Sequence, residues 1–377
     1  MTNRLFEPTT IAGLKLKNHV AMAPLTRQRA DRMGVPQPFV TDYYSQRSGA
    51  GLVIAEGTQP SFAGQGYCRT PGIHTAQQVA AWKGVTEAVH ARGAKMFLQV
   101  MHCGRIAHPL NRQIPDAPVA PSAIRPPGQM WTDQQQLQDY PTPRAFETTE
   151  LPALIEEFVT AARNAIAAGF DGVELHAANG YLLNQFLASN TNLRTDGYGT
   201  SLQGRIRFVV EVVQAVAAAI GASRTAIRVS PGHMFNDIVD ANPLETHVAL
   251  LDALPTADMA YVHVMLADAF SPQLNNAGDP QVLLRTLRKH VKGALIAAGN
   301  LTAASAQAHL DAGLLQLAVF GRPFIANPDL VERLKTGAPL AAPRAELFYT
   351  ADAEGYSDYP ALTPAAPRRA ELAGSAA

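Results

Sequence analysis

The chain of 377 residues is 47% hydrophobic, ample for one large α/β barrel or for two ordinary domains with buried cores. Lys plus Arg and Asp plus Glu both total 31, so neither the basic surplus of a nucleic-acid binder nor an acidic tail is present. Two cysteines, Cys68 and Cys103, make neither a disulfide framework nor a four-thiolate cluster, which points to a reducing compartment, the cytoplasm.

Residues 1–7 lack the apolar core of a secretion signal. The most apolar helical stretch, 208–220, is interrupted by Glu211 and Gln214 and is too short to cross a bilayer, so no membrane span is expected.

From there, apolar strand-like runs alternate with amphipathic helical patterns. The strands fall at 19–25, 51–56, 95–101, 172–175, 225–229, 259–264, 294–298 and 315–320. The helices fall at 39–48, 75–91, 151–168, 202–220, 244–254, 280–291, 303–312 and 328–335. Such alternation implies parallel strands with crossover helices, and eight rounds predict a closed (β/α)8 TIM barrel rather than an open doubly wound sheet.

Thr26, Gly57, His102, His176, Ser230, His263, Gly299 and Arg322 fall at or near the C-terminal strand ends, the rim where barrels place their chemistry. After the third strand, residues 103–146 carry eight prolines, among them Pro109, Pro126, Pro127 and Pro141, too many for a long helix. A connection of that length, starting and ending at the active rim, reads as a capping insertion over the barrel mouth. Residues 1–360 are expected to form a single domain, and 361–377, rich in alanine and proline, a loose tail.

The fourth strand ends in Val173-Glu174-Leu175-His176-Ala177-Ala178-Asn179-Gly180-Tyr181. His176 and Asn179 can both donate a hydrogen bond to one oxygen, and Tyr181 is a weak acid with an ordinary pKa of about 10. Two donors and a weak acid suit a reaction that makes an enolate and then protonates it. The same residue types also cap helices and turn chains, and on these residues alone the two readings weigh equally.

Ala298-Gly299-Asn300 closes strand seven and Phe320-Gly321-Arg322-Pro323 closes strand eight, where many barrels hold a phosphate on backbone amides. Arg228 and Gln99 interrupt apolar strands, where an unmatched polar group is costly; Arg228 faces either an anionic partner in the mouth or a carboxylate such as Glu174. With Thr26 on strand one, these groups outline a pocket for a large, planar, polar phosphate ester, the shape of flavin mononucleotide.

The chain resembles the old yellow enzyme family of FMN-dependent ene-reductases from about Leu5 to Pro360. The matching pieces are Met22-Ala23-Pro24-Leu25-Thr26-Arg27, Glu56-Gly57-Thr58, His102-Cys103-Gly104-Arg105, His176 to Tyr181, Asn192-Leu193-Arg194-Thr195-Asp196, Arg228-Val229-Ser230-Pro231 and Phe320-Gly321-Arg322-Pro323. The resemblance implies an FMN contacted by Ala23, Pro24, Thr26, Gly57 and Gln99, with Arg228 at the N1 and O2 edge of the ring. Gly299, Asn300, Gly321 and Arg322 would hold its phosphate.

It further implies that NADH or NADPH reduces the flavin, and that an electron-poor alkene then binds over the same ring. Enones, nitroalkenes and nitrate esters are the substrate classes. His176 and Asn179 would bind the activating oxygen, hydride would pass from flavin N5 to the β carbon, and Tyr181 would protonate the α carbon. Thr26, where one branch of the family has cysteine, would tune the ring. Tyr67, Met101 and Tyr356 would line the substrate side, Met101 standing where many relatives carry tryptophan. Sequence leaves the assembly open between monomer and homodimer.

Two other readings compete. A metal-dependent barrel hydrolase would use His102, His176 and His263 as ligands, although tyrosine and asparagine are odd companions for zinc. A flavin-binding protein without turnover would keep the fold and lose the chemistry. A pyridoxal phosphate barrel lacks the lysine it needs at a strand end.

Overall fold

The computed structural model describes residues 3–266 and 278–362; the expected tail lies almost wholly outside the described residues. Eight parallel strands close into a barrel: β1 (Val20–Met22), β2 (Leu52–Thr58), β3 (Lys95–Val100), β4 (Gly172–Ala177), β5 (Thr225–Val229), β6 (Val262–Met265), β7 (Leu295–Ala298) and β8 (Leu317–Phe320). Each of the eight overlaps its expected run. The fourth reaches two residues past the expected end at residue 175, because His176 and Ala177 pair with Arg228 and Val229 of β5.

Strand residues alternate between two cores, as period-two side chains require. Val20, Met22, Val53 and Ala55 join the large cluster between strands and helices. Ala21, Ala23, Leu52, Ile54, Phe97, Ala226, Ile296 and Val319 fill the inside of the barrel. A hairpin of Thr9–Ile11 and Leu14–Leu16 sends Ile11 and Leu16 into that inner cluster, an element the sequence reading did not contain.

The helices pack around the strands as Phe39–Gln46, Ala76–Ala91, Leu151–Ala167, Leu202–Ile220, Pro243–Ala253, Pro280–His290, Ala303–Asp311 and Leu330–Thr336. Ala76–Ala91 begins at a capping box: Thr75 accepts from the Gln78 N–H while the Gln78 side chain reaches back to the Thr75 N–H. Two short helices, Leu182–Leu187, buried throughout, and Arg322–Ala326, buried from Phe324 on, follow β4 and β8. Among the described residues, no helix is long and apolar enough to cross a membrane.

The segment 103–146 is built from short paired pieces rather than from helix. Gln129–Trp131 pairs antiparallel with Leu137–Asp139, and Val119–Ala120 pairs parallel with Arg144–Ala145. The buried side chain of Arg194 ties the two partners of the parallel pair, its Nη1 donating to the carbonyls of Pro121 at 3.2 Å and Phe146 at 2.5 Å.

Candidate active site

At the C-terminal ends of the strands lies a cavity of about 710 Å³, within the roughly 300–1,000 Å³ usual for small-molecule sites. Ala23, Pro24 and Thr26 line it from β1 and the turn after it, Gln99 and Met101 from β3, His176, Asn179 and Tyr181 from β4 and its loop, and Arg228 from β5. Gly299 and Asn300 follow β7, Gly321 and Arg322 follow β8, and all four border the same space. Tyr67 joins from the loop after β2, and Gln129, Met130, Trp131 and Tyr140 from the segment 103–146.

The loop after β4 is shaped by backbone conformation. Asn179 takes φ 55° and Gly180 φ 79°, left-handed values that asparagine tolerates better than most residues and glycine adopts freely. The Asn179 N–H donates to Ser230 Oγ at 2.9 Å, and its carbonyl accepts from Asn236 Nδ2 at 2.8 Å. The backbone is thereby fixed from two neighbouring segments, and the amide side chain is left for the cavity.

His176 sits 5.0 Å from Tyr181, ring centroid to ring centroid. Burial, then the Arg228 and His263 side chains, hold the imidazole well below its ordinary pKa, so it is neutral at neutral pH. Its Nδ1 is buried with no hydrogen-bond partner in the protein. Burial and neighbouring Cys103 push the Tyr181 phenol above its ordinary value, although the hydrogen bond with Tyr67 at 3.1 Å works against them. The cavity thus offers neutral donors and a phenol that keeps its proton.

Several expected residues lie elsewhere. Tyr356 does not line the cavity: it is fully buried, stacked on Tyr43 at 3.8 Å between ring centroids, with the guanidinium of Arg29 5.1 Å from its ring. Among the described C-terminal residues, Phe348 and Tyr349, eight and seven positions earlier, reach the cavity, which the sequence reading missed. Their signal was the aromatic pair itself, just after the Arg344 to Leu347 turn. Gly57 is also absent from the lining; a Cβ there would come within 2.5 Å of Met101 Cε, so the glycine makes room for Met101.

The metal site of the hydrolase reading does not assemble. His102 and His263 stand outside the cavity lining, His102 Nδ1 accepts from the Gly104 N–H at 3.0 Å, and His263 Nδ1 meets Glu174 Oε2 at 2.8 Å. No group of three or more metal-ligating side chains occurs among the described residues.

The residues present fit a flavin phosphate ester. Ala23, Pro24, Met265 and Ala298 give an apolar bed, while Thr26, Gln99 and Arg228 give a polar edge. At the other end, a Cβ on Gly321 would meet only Ala23 and Leu25 at an ordinary 3.5 Å, so that space is open to a ligand. Such a barrel and site suit one class, the flavin-dependent oxidoreductases.

The chain belongs to the NADH:flavin oxidoreductase / NADH oxidase family, whose description matches residues 4–341. It is 39% identical to 12-oxophytodienoate reductase 7 of Oryza sativa subsp. japonica over 374 residues, 95% of this chain and 94% of that protein. An old yellow enzyme homologue from Zymomonas mobilis superposes with a TM-score of 0.90 at 39% identity, covering 95% of this chain and 99% of the other. Morphinone reductase in complex with tetrahydroNAD superposes with a TM-score of 0.88 at 43% identity, covering 96% and 98%. The protein is an FMN-dependent ene-reductase of the old yellow enzyme type, with a nicotinamide as hydride donor.

Proposed function

We propose that the cavity reduces the C=C bond of α,β-unsaturated carbonyl compounds and nitroalkenes, extending to nitrate esters, with residues 1–360 acting as one FMN-binding domain. In this reading Ala23, Pro24, Thr26, Gln99 and Arg228 hold the flavin ring, and Gly299, Asn300, Gly321 and Arg322 hold its phosphate. When bound, FMN accepts hydride from the nicotinamide and supplies it to the β carbon of the alkene.

The protein's own part is electrostatic. His176 and Asn179 donate to the carbonyl or nitro oxygen, on which negative charge grows in the transition state, so donors fixed in advance act chiefly there. Tyr181 delivers the proton to the α carbon. Its raised pKa keeps that proton in place until carbanion character develops beside it. Tyr67, Met101, Phe348 and Tyr349 shape the substrate side, and the hairpin carrying Met130 and Trp131 covers the mouth and excludes water.

One observation carries this reading: neutral His176, the free amide of Asn179 and protonated Tyr181 meet in one cavity. The test is the visible spectrum of the FMN-loaded protein titrated with a para-substituted phenol, whose phenolate mimics the enolate. A long-wavelength charge-transfer band is expected. In the double variant His176→Ala/Asn179→Ala the band is lost, and enone reduction slows by about a hundredfold or more. Unchanged binding and turnover in that variant overturn the assignment.

A further inference from the structure

Beneath the cavity, outside its lining, the barrel interior holds a buried carboxylate, Glu174, and its imidazole partner His263, neither of which the proposed chemistry uses. Glu174 lies two residues before His176 on β4, so its side chain shares the inner face one layer deeper. It is fully buried with both oxygens engaged: Oε1 accepts from Gln99 Nε2 at 2.7 Å and Oε2 from His263 Nδ1 at 2.8 Å. Strand register brings these groups together, since Glu174 pairs with Gln99 of β3, and Arg228 pairs with both His176 of β4 and His263 of β6.

Burial alone raises the Glu174 pKa, but His263, Arg228 and Gln99 together hold it below the ordinary carboxylate value. Burial lowers His263 despite the attraction of Glu174, so the imidazole is neutral and the carboxylate keeps its charge. An ionised carboxylate in a barrel interior is costly to bury, and a packed apolar layer is often as stable or more so. Here the anion faces two groups, Gln99 and Arg228, that themselves reach the cavity wall.

We propose that Glu174 is a positioning residue of the flavin site, fixing Gln99 and Arg228 and placing a permanent negative charge beneath the ring that lowers its electron affinity. The proposal rests on the FMN reading above. The nicotinamide gives up hydride, two electrons and one proton, and becomes cationic. A bound flavin receiving that hydride would carry the added negative charge within reach of Gln99 and Arg228. A fixed anion below disfavours that charge, while Arg228 favours it, so the pair sets the balance.

The test is the two-electron reduction equilibrium of the FMN-loaded protein against a reference dye. Glu174→Gln keeps the size and removes the charge, and should shift the equilibrium toward reduced flavin by about tenfold or more, which is about 30 mV for a two-electron couple. His263→Gln keeps the carboxylate and should stay within about threefold of the unmutated protein. A Glu174→Gln shift below roughly twofold, or an equal shift in both variants, overturns the proposal.

Should Glu174→Gln fail to fold, Glu174→Asp retains the charge with a shorter reach. It should keep the equilibrium while binding FMN more weakly, and a tenfold shift in its equilibrium would overturn the charge role. Absence of FMN from the unmutated protein removes the functional reading and this one with it. A null result in Glu174→Gln leaves the phenol band and the functional reading standing.

Discussion

Tyr181 carries the most direct prediction at the residue scale. Tyr181→Phe should leave flavin reduction by NAD(P)H unchanged and slow enone reduction by roughly 10²–10⁴-fold, the usual worth of a general acid. Stopped-flow measurement of the two half-reactions separates them, and an equal loss in both contradicts a proton-donor role. A pH consequence follows from the direction of its shift. A proton donor must be protonated, and a phenol held above its ordinary value of about 10 stays so through that pH. Enone reduction should therefore show no alkaline fall assigned to Tyr181 up to about pH 10; a fall centred lower, absent in Tyr181→Phe, would contradict the buried phenol.

The His176, Asn179 and Tyr181 group was legible in sequence because one short loop after one strand delivers all three. Tyr356 was misplaced because a family motif fixes neighbourhood, not side-chain direction. The stack with Tyr43 and the positive charges of Arg27 and Arg29 draw that ring inward, away from the cavity.

At the scale of elements, buried arginines fasten the C-terminal segment that brings Phe348 and Tyr349 to the site. Arg27 donates to the carbonyls of Phe348 and Gly355, Arg29 to those of Leu347 and Asp352, and Arg47 to those of Ile325 and Tyr356. Hydrogen bonds from charged groups are worth about 1.5–3 kcal/mol each, and orphaned carbonyls add their own cost. Arg29→Met should destabilise the protein by about 3 kcal/mol in urea unfolding and weaken phenol binding while FMN is retained. A loss no larger than the roughly 0.5 kcal/mol of ordinary surface changes would show that the segment is held by other means.

The eight strands were legible for a physical reason: parallel strands buried on both faces read as unbroken apolar runs bounded by turns. The short helices Leu182–Leu187 and Arg322–Ala326 were not. Leu182–Leu187 is buried at every position, its polar Asn184 and Gln185 included, so no exposed face marks it, and neither is long enough to reveal a period. The prolines of 103–146 excluded a long helix there, but gave no hint that Gln129–Trp131 would pair with Leu137–Asp139.

For the whole molecule, the site is assembled from most of the barrel's rim, so a ligand that fills it ties distant parts of the chain together. A ligand that binds only the folded state adds about 2.7 kcal/mol to unfolding at about 100 times its dissociation constant, and FMN is expected to do so here. Thermal melts of protein stripped of FMN and then reloaded check this; a melting temperature independent of FMN concentration would place the flavin outside the folded core. The barrel was legible from the count of βα rounds. Its lower closure was not, because the pieces Thr9–Ile11 and Leu14–Leu16 are too short for alternation to stand out, and only contact with the inner core reveals their purpose.

The left-handed backbone at Asn179 also limits what mutation can reach. Outside glycine, that conformation favours asparagine, aspartate and histidine, while the proposed contact with the substrate oxygen requires a side chain that donates a hydrogen bond, which an ionised aspartate does not. The two filters overlap at asparagine and histidine alone. Selection for enone turnover from a library carrying all amino acids at this position should return those two, and a vigorous lysine or glutamine variant would mean that the loop can refold around its ligand.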